Sequence, residues 1–427
     1  MAASVRLEYG KVKLYPEIYT PNNGGICPDA AVARAWPSLG MWGGKDFPFP
    51  VSLTLKRVLE YVYGSIRHDG KDFHYWTDFG FHSRTWERAR YEALLKLWGF
   101  IAKHPAKRPL KACAFLCSEE CCRNHKVCYD EYGEKDCYTP FGDLFNTAEE
   151  VPAYAYEMSR IAGMNGGFAV NRKSLAGLSG NDLDVLVLPP LTGVTGKDLR
   201  EIRRLHKEGV SLLGFEEVAG LEDLFGVKAG RAVRVHRIQV SPGAHPLAEL
   251  SSLTEYTDHR AAAGQYRAKE AAVLLEGEIP VLFTHTTRWG KTALFNIPPT
   301  VVRREDQFNR VGNGRDSISP LLNRATQEIL RFLSAGIAGT DAGKLLAFED
   351  MSGHVHLIVE EDAHPLPAKK IAPLVTVRLP GLKRSDFVCE KEFSIVELTP
   401  GYVKLRFSLN EDEFVLFSII RQGKGES

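Results

Sequence analysis

The stretch "DLDVLVLPPL" (182–191) constrains the fold of this 427-residue chain more than any other. A run this short and this continuously apolar reads as a strand with both faces covered, because a strand with one wet face alternates. Covering both faces takes a layer on each side, and the flanking sequence supplies helices for it. "GKDLREIRRLHKEG" (196–209) is an amphipathic helix closed by Gly209, and "VSLLGFEEV" (210–218) is the next strand. Upstream, "LKACAFLCS" (110–118) is a strand. "NTAEEVPAYAYEMSRIAG" (146–163) is a helix with Thr147 and Glu150 spaced as a capping box and Gly163 as its stop. Pro152 places the true start of that helix a turn later. "PVLFTHTTRWGKTALFNIPP" (280–299) reads as a hairpin turning near Trp289-Gly290, and "SPLLNRATQEILRFLSAG" (319–336) as a closing helix. Residues 109–338 are therefore expected to form a doubly wound α/β domain of flavodoxin-like character.

The segments on either side have other periods. In "KVKLYPEIYTPNNGG" (11–25), Val12, Leu14 and Tyr15 make a short strand that Pro16 ends, which puts Glu17 at its C-terminal end. In a parallel barrel a catalytic acid stands at that end. Ser52 can cap the helix "LTLKRVLEYVYGSIRHDG" (53–70), whose Leu55, Val58, Leu59, Val62 and Ile66 share a face. The aromatic strand "KDFHYWTDFGFHS" (71–83) and the helix "TWERARYEALLKLWGFIAKHP" (85–105) follow, so residues 1–108 read as a parallel βαβα unit. Two strands cannot close a barrel, and the unit must pack on something else. Residues 339–427 break into short alternating runs separated by Gly, Pro and Asn-Glu-Asp turns, the pattern of a small antiparallel β-sandwich.

Composition excludes several classes of function. The 54 basic and 53 acidic residues leave a formal charge of +1 with no block of one sign, which argues against nucleic acid or a membrane surface as the main partner. "MAASVRLEYG" lacks the regions of a secretory signal and the longest apolar runs are too short to span a bilayer, so a soluble, cytoplasmic protein is expected. Six of the eight cysteines crowd into 113–137 with the spacing C-x3-C-x3-CC-x5-C-x8-C around His125. Paired C-x2-C knuckles are missing, so structural thiols are favoured over a zinc site or a disulfide knot. Cys113 and Cys117 flank an apolar "AFL" and behave as small hydrophobes of a buried strand.

"DVLVLPPLTGVTGKDLREIRRLHKEGVSLL" (184–213), "GAHPLAEL" (243–250) and "RWGKTALFNIPP" (288–299), in this domain order, resemble the C-terminal part of family-42-type β-galactosidases. The resemblance implies the last two βα units of a catalytic (β/α)8 barrel at 1–108. It also implies a trimerisation domain related to class I glutamine amidotransferases at 109–338 and a small β-domain at 339–427. It puts Glu17 near the family's nucleophile and implies a hydrolase of β-galactosides or similar glycosides, acting without a cofactor or metal. Six barrel strands of the family pattern, with the acid/base glutamate, are not in this sequence, so an inactive remnant of a longer protein is expected.

The residues themselves leave alternatives open. A retaining glycosidase needs two carboxylates about 5–5.5 Å apart. Glu17 is one candidate, and Asp78, after "FHYWTD", can line the same mouth; both also suit a plain solvent-facing position. Trp36, Trp42, Tyr75 and Trp76 present flat apolar faces suited to sugar rings, or fill a domain junction. Glu17 is thus the candidate nucleophile, with Trp42, Trp76 and Asp78 as candidate sugar contacts. In an active amidotransferase the strand at 210–213 would run into a G-x-C-x-G elbow bearing a nucleophile. Phe215, Glu216 and Glu217 stand there instead, which leaves His236 and His245 nothing to activate. The domain reads as a non-catalytic, oligomerising module, and a sugar-binding or assembly protein is the alternative to an enzyme. "GGFAVNRKSLAGLSG" (166–180) lacks a dinucleotide fingerprint, and "TTRWGKT" lacks the upstream glycine of a phosphate loop. Arg310 and Arg315 in "RVGNGRDSISP" suit a surface loop as well as an anion site.

Overall fold

A computed structural model describes residues 17–20, 74–77, parts of 96–121 and 151–166, and then 168–256, 263–297, 320–360, 370–410 and 413–420. Strands predominate among these residues. No helix among them is long and apolar enough to cross a membrane.

The first two strands, β1 (Glu17–Thr20) and β2 (His74–Thr77), pair in parallel with Glu17 opposite His74 and Tyr19 opposite Trp76. A parallel pair needs a long crossover, as the sequence order implied. Glu17 is itself a strand residue here, the first of β1, where the sequence put it at a strand's end. The helix over 53–70 lies outside the described residues, as does the strand at 12–15. β3 (Ala106–Pro109) crosses the boundary drawn at 108 and belongs to the C-terminal region, where it pairs with β16 (Lys344–Asp350).

The middle of the chain is built on one nine-stranded sheet. Its parallel half runs in the order β5 (Phe168–Asn171), β4 (Ala112–Cys117), β6 (Leu183–Leu188), β7 (Ser211–Phe215) and β14 (Lys291–Phe295). An antiparallel half continues through β13 (Pro280–Thr286), β12 (Ala272–Glu276), β9 (Arg237–Val240) and β10 (Thr254–Tyr256). A separate ribbon pairs β8 (Val227–Arg234) with β11 (Ala263–Ala268). The expected 280–299 hairpin is β13–β14, closed by the Thr287 amide donating to the Gly290 carbonyl at 2.9 Å.

Every residue of β6 is buried, and the strand feeds two cores. Leu186 and Leu188 join Ile202 and Leu205 of α1 (Gly196–Lys207) on one side of the sheet. Val185 and Val187 join Leu322, Ile329 and Leu330 of α3 (Pro320–Leu333) on the other, together with the helical Tyr154 and Met158. The short α2 (Glu222–Phe225) lies between β7 and β8. Thr195 caps α1 through a reciprocal box with Asp198. At the end of α3, the Phe332 and Leu333 carbonyls accept from Lys291 Nζ at 2.6 Å and Ser211 Oγ at 2.8 Å, which supplies partners for the last helical turn. Gly163 ends the helix around 151–161 with φ +74°, and a side chain there would collide with the Thr340 carbonyl.

Two antiparallel sheets form the C-terminal region around a shared core. One is β15 (Ala338–Thr340), β18 (Leu374–Val377), β21 (Val403–Phe407) and β20 (Phe393–Leu398); the other is β19 (Phe387–Cys389), β22 (Phe414–Ile419), β17 (Val355–Glu360), β16 and β3. Alternation holds for β20, whose residues switch regularly between half-buried and exposed. It fails for β17 and β22, which are buried throughout. The reason is packing on both faces. Leu357 and Phe417 face the inter-sheet core, while Leu346, Phe348, Ile358 and Leu416 join the α1 side of the nine-stranded sheet.

Asn165 fastens this junction. Its buried amide donates to the Leu110 and Ala347 carbonyls at 2.9 and 3.0 Å and accepts from the Ala347 amide at 2.8 Å. Replacing it takes this partner from the Leu110 carbonyl and the Ala347 amide, while the Ala347 carbonyl keeps the Leu110 amide. Asn165→Leu should lower unfolding stability by about 3 kcal/mol, read as a fall in the urea midpoint.

His206 gives a second handle. Its ring is fully buried, with Nδ1 at 2.8 Å from the Val210 carbonyl and Nε2 at 2.7 Å from Thr287 Oγ1. A carbonyl only accepts, so Nδ1 carries the proton and Nε2 offers its lone pair to the hydroxyl. Burial holds the imidazole below its usual 6.5. Below that pH the unfolded chain binds a proton that the folded chain refuses, so stability falls as the solution is acidified, by at most about 1.4 kcal/mol per pH unit from this group. His206→Gln should flatten the stability–pH slope just below 6.5, measured by urea titration at a series of pH values.

Candidate functional site

Parallel pairing of β1 and β2 brings the backbones of Glu17, Tyr19, His74 and Trp76 together as neighbouring rungs. Tyr75 is the rung opposite Ile18. Trp36, Trp42 and Asp78 lie outside the described residues, as do Arg310 and Arg315, so only Glu17 and Trp76 of the candidate sugar site are placed.

The elbow after β7 is fully described. Phe215 ends the strand, stacked on Phe295 with ring centroids 5.3 Å apart. Glu216 then turns the chain with φ +59°, a left-handed conformation that a side chain rarely adopts. The Glu216 amide donates to the Phe295 carbonyl at 2.6 Å, and the Glu217 amide closes a three-residue turn on the Phe215 carbonyl at 2.6 Å. Glu217 Oε2 accepts from Thr192 Oγ1 at 2.7 Å, and the Val218 amide donates to the buried Tyr266 hydroxyl, whose pKa burial pushes up to about 12. Where the sequence reading looked for a nucleophile, the turn after β7 carries two carboxylates. A carboxylate at that point supplies neither a thiolate nor an activated hydroxyl. His236 and His245 are both exposed, the former with its backbone amide on Glu278 Oε2. The glycine-bearing segment 166–180 forms β5 and a short 3-10 helix at Arg172–Gly177, and "TTRWGKT" is a hairpin turn.

Cys113 is a free thiol with no exposure, and burial pushes its pKa well above the ordinary range, so it is an inert strand residue. Cys389 is also a free thiol, half-buried, and the cysteines from 122 to 137 lie outside the described residues.

Among the described residues, one group has the composition of a metal site: His104, Asp350 and His356. Asp350 closes β16 and His356 lies in β17, while the His104 amide donates to the Phe100 carbonyl in helical fashion. His356 Nε2 is 2.9 Å from Asp350 Oδ2 and its Nδ1 is 2.9 Å from Ser418 Oγ. His104 Nδ1 is 3.7 Å from the same Asp350 oxygen. Burial keeps His356 uncharged, its pKa pushed down to about 4 despite the neighbouring carboxylate. The hydrogen bond from His356 holds Asp350 below the usual carboxylate range against the opposing effect of burial. The sequence reading assigned no metal ligand and passed over this trio.

Neither a protein-family model nor a curated protein matches the sequence. Solved structures do match in fold. The α-L-fucosidase isoenzyme 2 from Paenibacillus thiaminolyticus superposes with a TM-score of 0.55 at 13% identity, over 99% of this chain and 67% of its own. The chain has the fold of part of a glycoside hydrolase. The β-galactosidase from Rahnella sp. R3 gives 0.46 at 12% identity, over 94% of this chain and 59% of its own. Gan42B, a GH42 β-galactosidase from G. stearothermophilus, gives 0.43 at 12%, over 78% and 43%. The chain thus spans about half the length of these two β-galactosidases.

A left-handed non-glycine residue costs on the order of 1 kcal/mol, part of which a glycine returns by loosening the unfolded chain. Glu216→Gly should therefore raise the urea midpoint slightly, by about 0.5 kcal/mol in stability. Glu216→Val should lower it by more than that, since a β-branched side chain suits the conformation least.

Proposed function

We propose that this chain is a carbohydrate-active protein, resembling the C-terminal portion of a glycoside hydrolase that acts on β-galactosides or similar glycosides. The observation that carries the reading is the fold match with the fucosidase, which extends over 99% of the chain. The parallel β1–β2 ribbon supports it from within, because it sets Glu17 beside the aromatic residues Tyr19 and Trp76 at backbone level. Glu17 is the proposed nucleophile, and Trp42, Trp76 and Asp78 the proposed sugar contacts. Glycoside hydrolysis of this type uses two carboxylates, and the sequence offers Glu17 no strong second partner, so binding of the sugar outlasts its turnover in this chain.

The order of the parallel strands, β5-β4-β6-β7-β14, is 2-1-3-4-5 counted along the chain. It supports a flavodoxin-like, amidotransferase-related middle domain. Carboxylates at the elbow favour a second role for that domain, as a non-catalytic unit through which copies of the chain associate.

Galactose added to the full chain should change its tryptophan fluorescence, and Trp76→Ala should weaken that binding about tenfold, as expected for loss of a ring stacked on a sugar. Nitrophenyl β-galactoside should be cleaved far more slowly than the 1–1000 per second range of ordinary enzymes, roughly, and the residue of activity should vanish in Glu17→Gln. Binding insensitive to Trp76→Ala together with cleavage insensitive to Glu17→Gln would remove the sugar site from this ribbon. Light scattering of the same preparation reads the association, and a monomer at every concentration counts against the second role.

A further inference from the structure

The hairpin joining β16 to β17 holds an arrangement that the carbohydrate reading does not use. Asp350 Oδ1 accepts from the amides of Ser352 and His354 at 2.8 and 2.9 Å, so the turn itself fixes the carboxylate. Its other oxygen, Oδ2, points to two imidazoles, His356 at 2.9 Å and His104 at 3.7 Å. One donor atom from each of the three side chains lies within 4.8 Å of the other two. In a tetrahedral zinc site with bonds of about 2.0–2.1 Å, neighbouring donors are roughly 3.4 Å apart. The two separations to Asp350 Oδ2, 2.9 and 3.7 Å, bracket that value.

The surroundings match as well. Ser418 Oγ, 2.9 Å from His356 Nδ1, orients that ring from behind, as outer partners of metal-bound histidines do. Phe100 and Phe348 pack against the His356 ring with centroids 5.5 and 5.3 Å away, an apolar shell around a polar centre. A third imidazole stands at the turn: His354 Nδ1 is buried and has no hydrogen-bond partner. The His104 and His356 rings lie one over the other, centroids 4.1 Å apart, so packing brings both imidazoles to the same side of Asp350.

We propose that His104, Asp350 and His356 bind one divalent transition-metal ion of the zinc type, with a water molecule as fourth donor. Two imidazoles and a carboxylate select such an ion over magnesium or calcium, which take oxygen ligands. On binding, the proton between His356 Nε2 and Asp350 Oδ2 leaves to solvent and the metal takes its place. The ion clips residue 104, at the exit of the N-terminal segment, to a hairpin 246 positions further along the chain. The inference stands independently of any activity toward sugars.

Cobalt(II) is the probe, because it separates this site from the cysteines of 113–137. The full chain, stripped with chelator, should take up one cobalt per molecule with visible d–d bands and without the intense near-ultraviolet band of thiolate-bound cobalt. Zinc should displace it, and zinc alone should raise the thermal midpoint, as any ligand of the folded state does. His104→Gln, at the most accessible of the three ligands, should weaken uptake by at least about 100-fold with unchanged far-ultraviolet circular dichroism. Asp350→Asn should abolish it; should that variant not fold, His104→Gln decides. Absence of cobalt uptake, a thiolate spectrum only, or uptake unchanged in His104→Gln would each overturn the proposal.

Discussion

One buried amide governs how the two halves of this chain meet. Asn165 holds Ala347 by both its amide and its carbonyl while binding Leu110 just ahead of β4. Those two segments are 237 positions apart, and the side chain lets each end a run of backbone pairing without a buried orphan. Around it, the Gly166 amide reaches the Leu345 carbonyl at 3.0 Å and the Thr340 amide reaches Gly163 at 2.8 Å. The consequence is that the β16–β17–β22 sheet has no wet face at its centre. Its inner residues fill the sandwich and its outer residues, led by Phe348 and Ile358, fill the α/β core. The hairpin carrying Asp350 and His356 is thereby presented against His104.

What the sequence shows and what it hides divides along range. Elements whose burial is decided by their own neighbours were legible: β6, α1, the β13–β14 hairpin and α3 all stand within a few residues of where periodicity puts them. Elements whose burial is decided from afar were not. "VHLIVE" and "FVLFSI" belong to a sandwich, yet they are buried as uniformly as β6, because a distant core covers their second face. β3 went unread because its partner, β16, enters the chain some 240 residues later. Glu17 lies in a strand because β2, more than fifty residues on, pairs with it there.

The histidine–aspartate group escaped for the same long-range reason, since no spacing motif joins residue 104 to 350. Half of it was nonetheless visible. "EDMSGHVHL" sets Asp350, His354 and His356 around a turn, and residues 354 and 356 fall on one side of a strand because side chains alternate with period two. A carboxylate and two imidazoles on one rim of a hairpin are a signal that composition scanning for cysteines does not register.

The turn after β7 raises a different question, since a non-glycine residue holds a left-handed conformation there. Strain at a non-glycine residue survives only where the surroundings over-determine it. Here they do: Phe215 is locked by stacking on Phe295, the Glu216 amide is held by the Phe295 carbonyl, and Glu217 is tied through Thr192 and Leu191 to the loop after β6. None of these contacts involves a nucleophile, so the turn is a property of the sheet's packing. A left-handed turn at a strand end can therefore be fixed by packing alone, whatever side chain it carries, and the carboxylate of Glu216 supplies no nucleophile for acyl transfer.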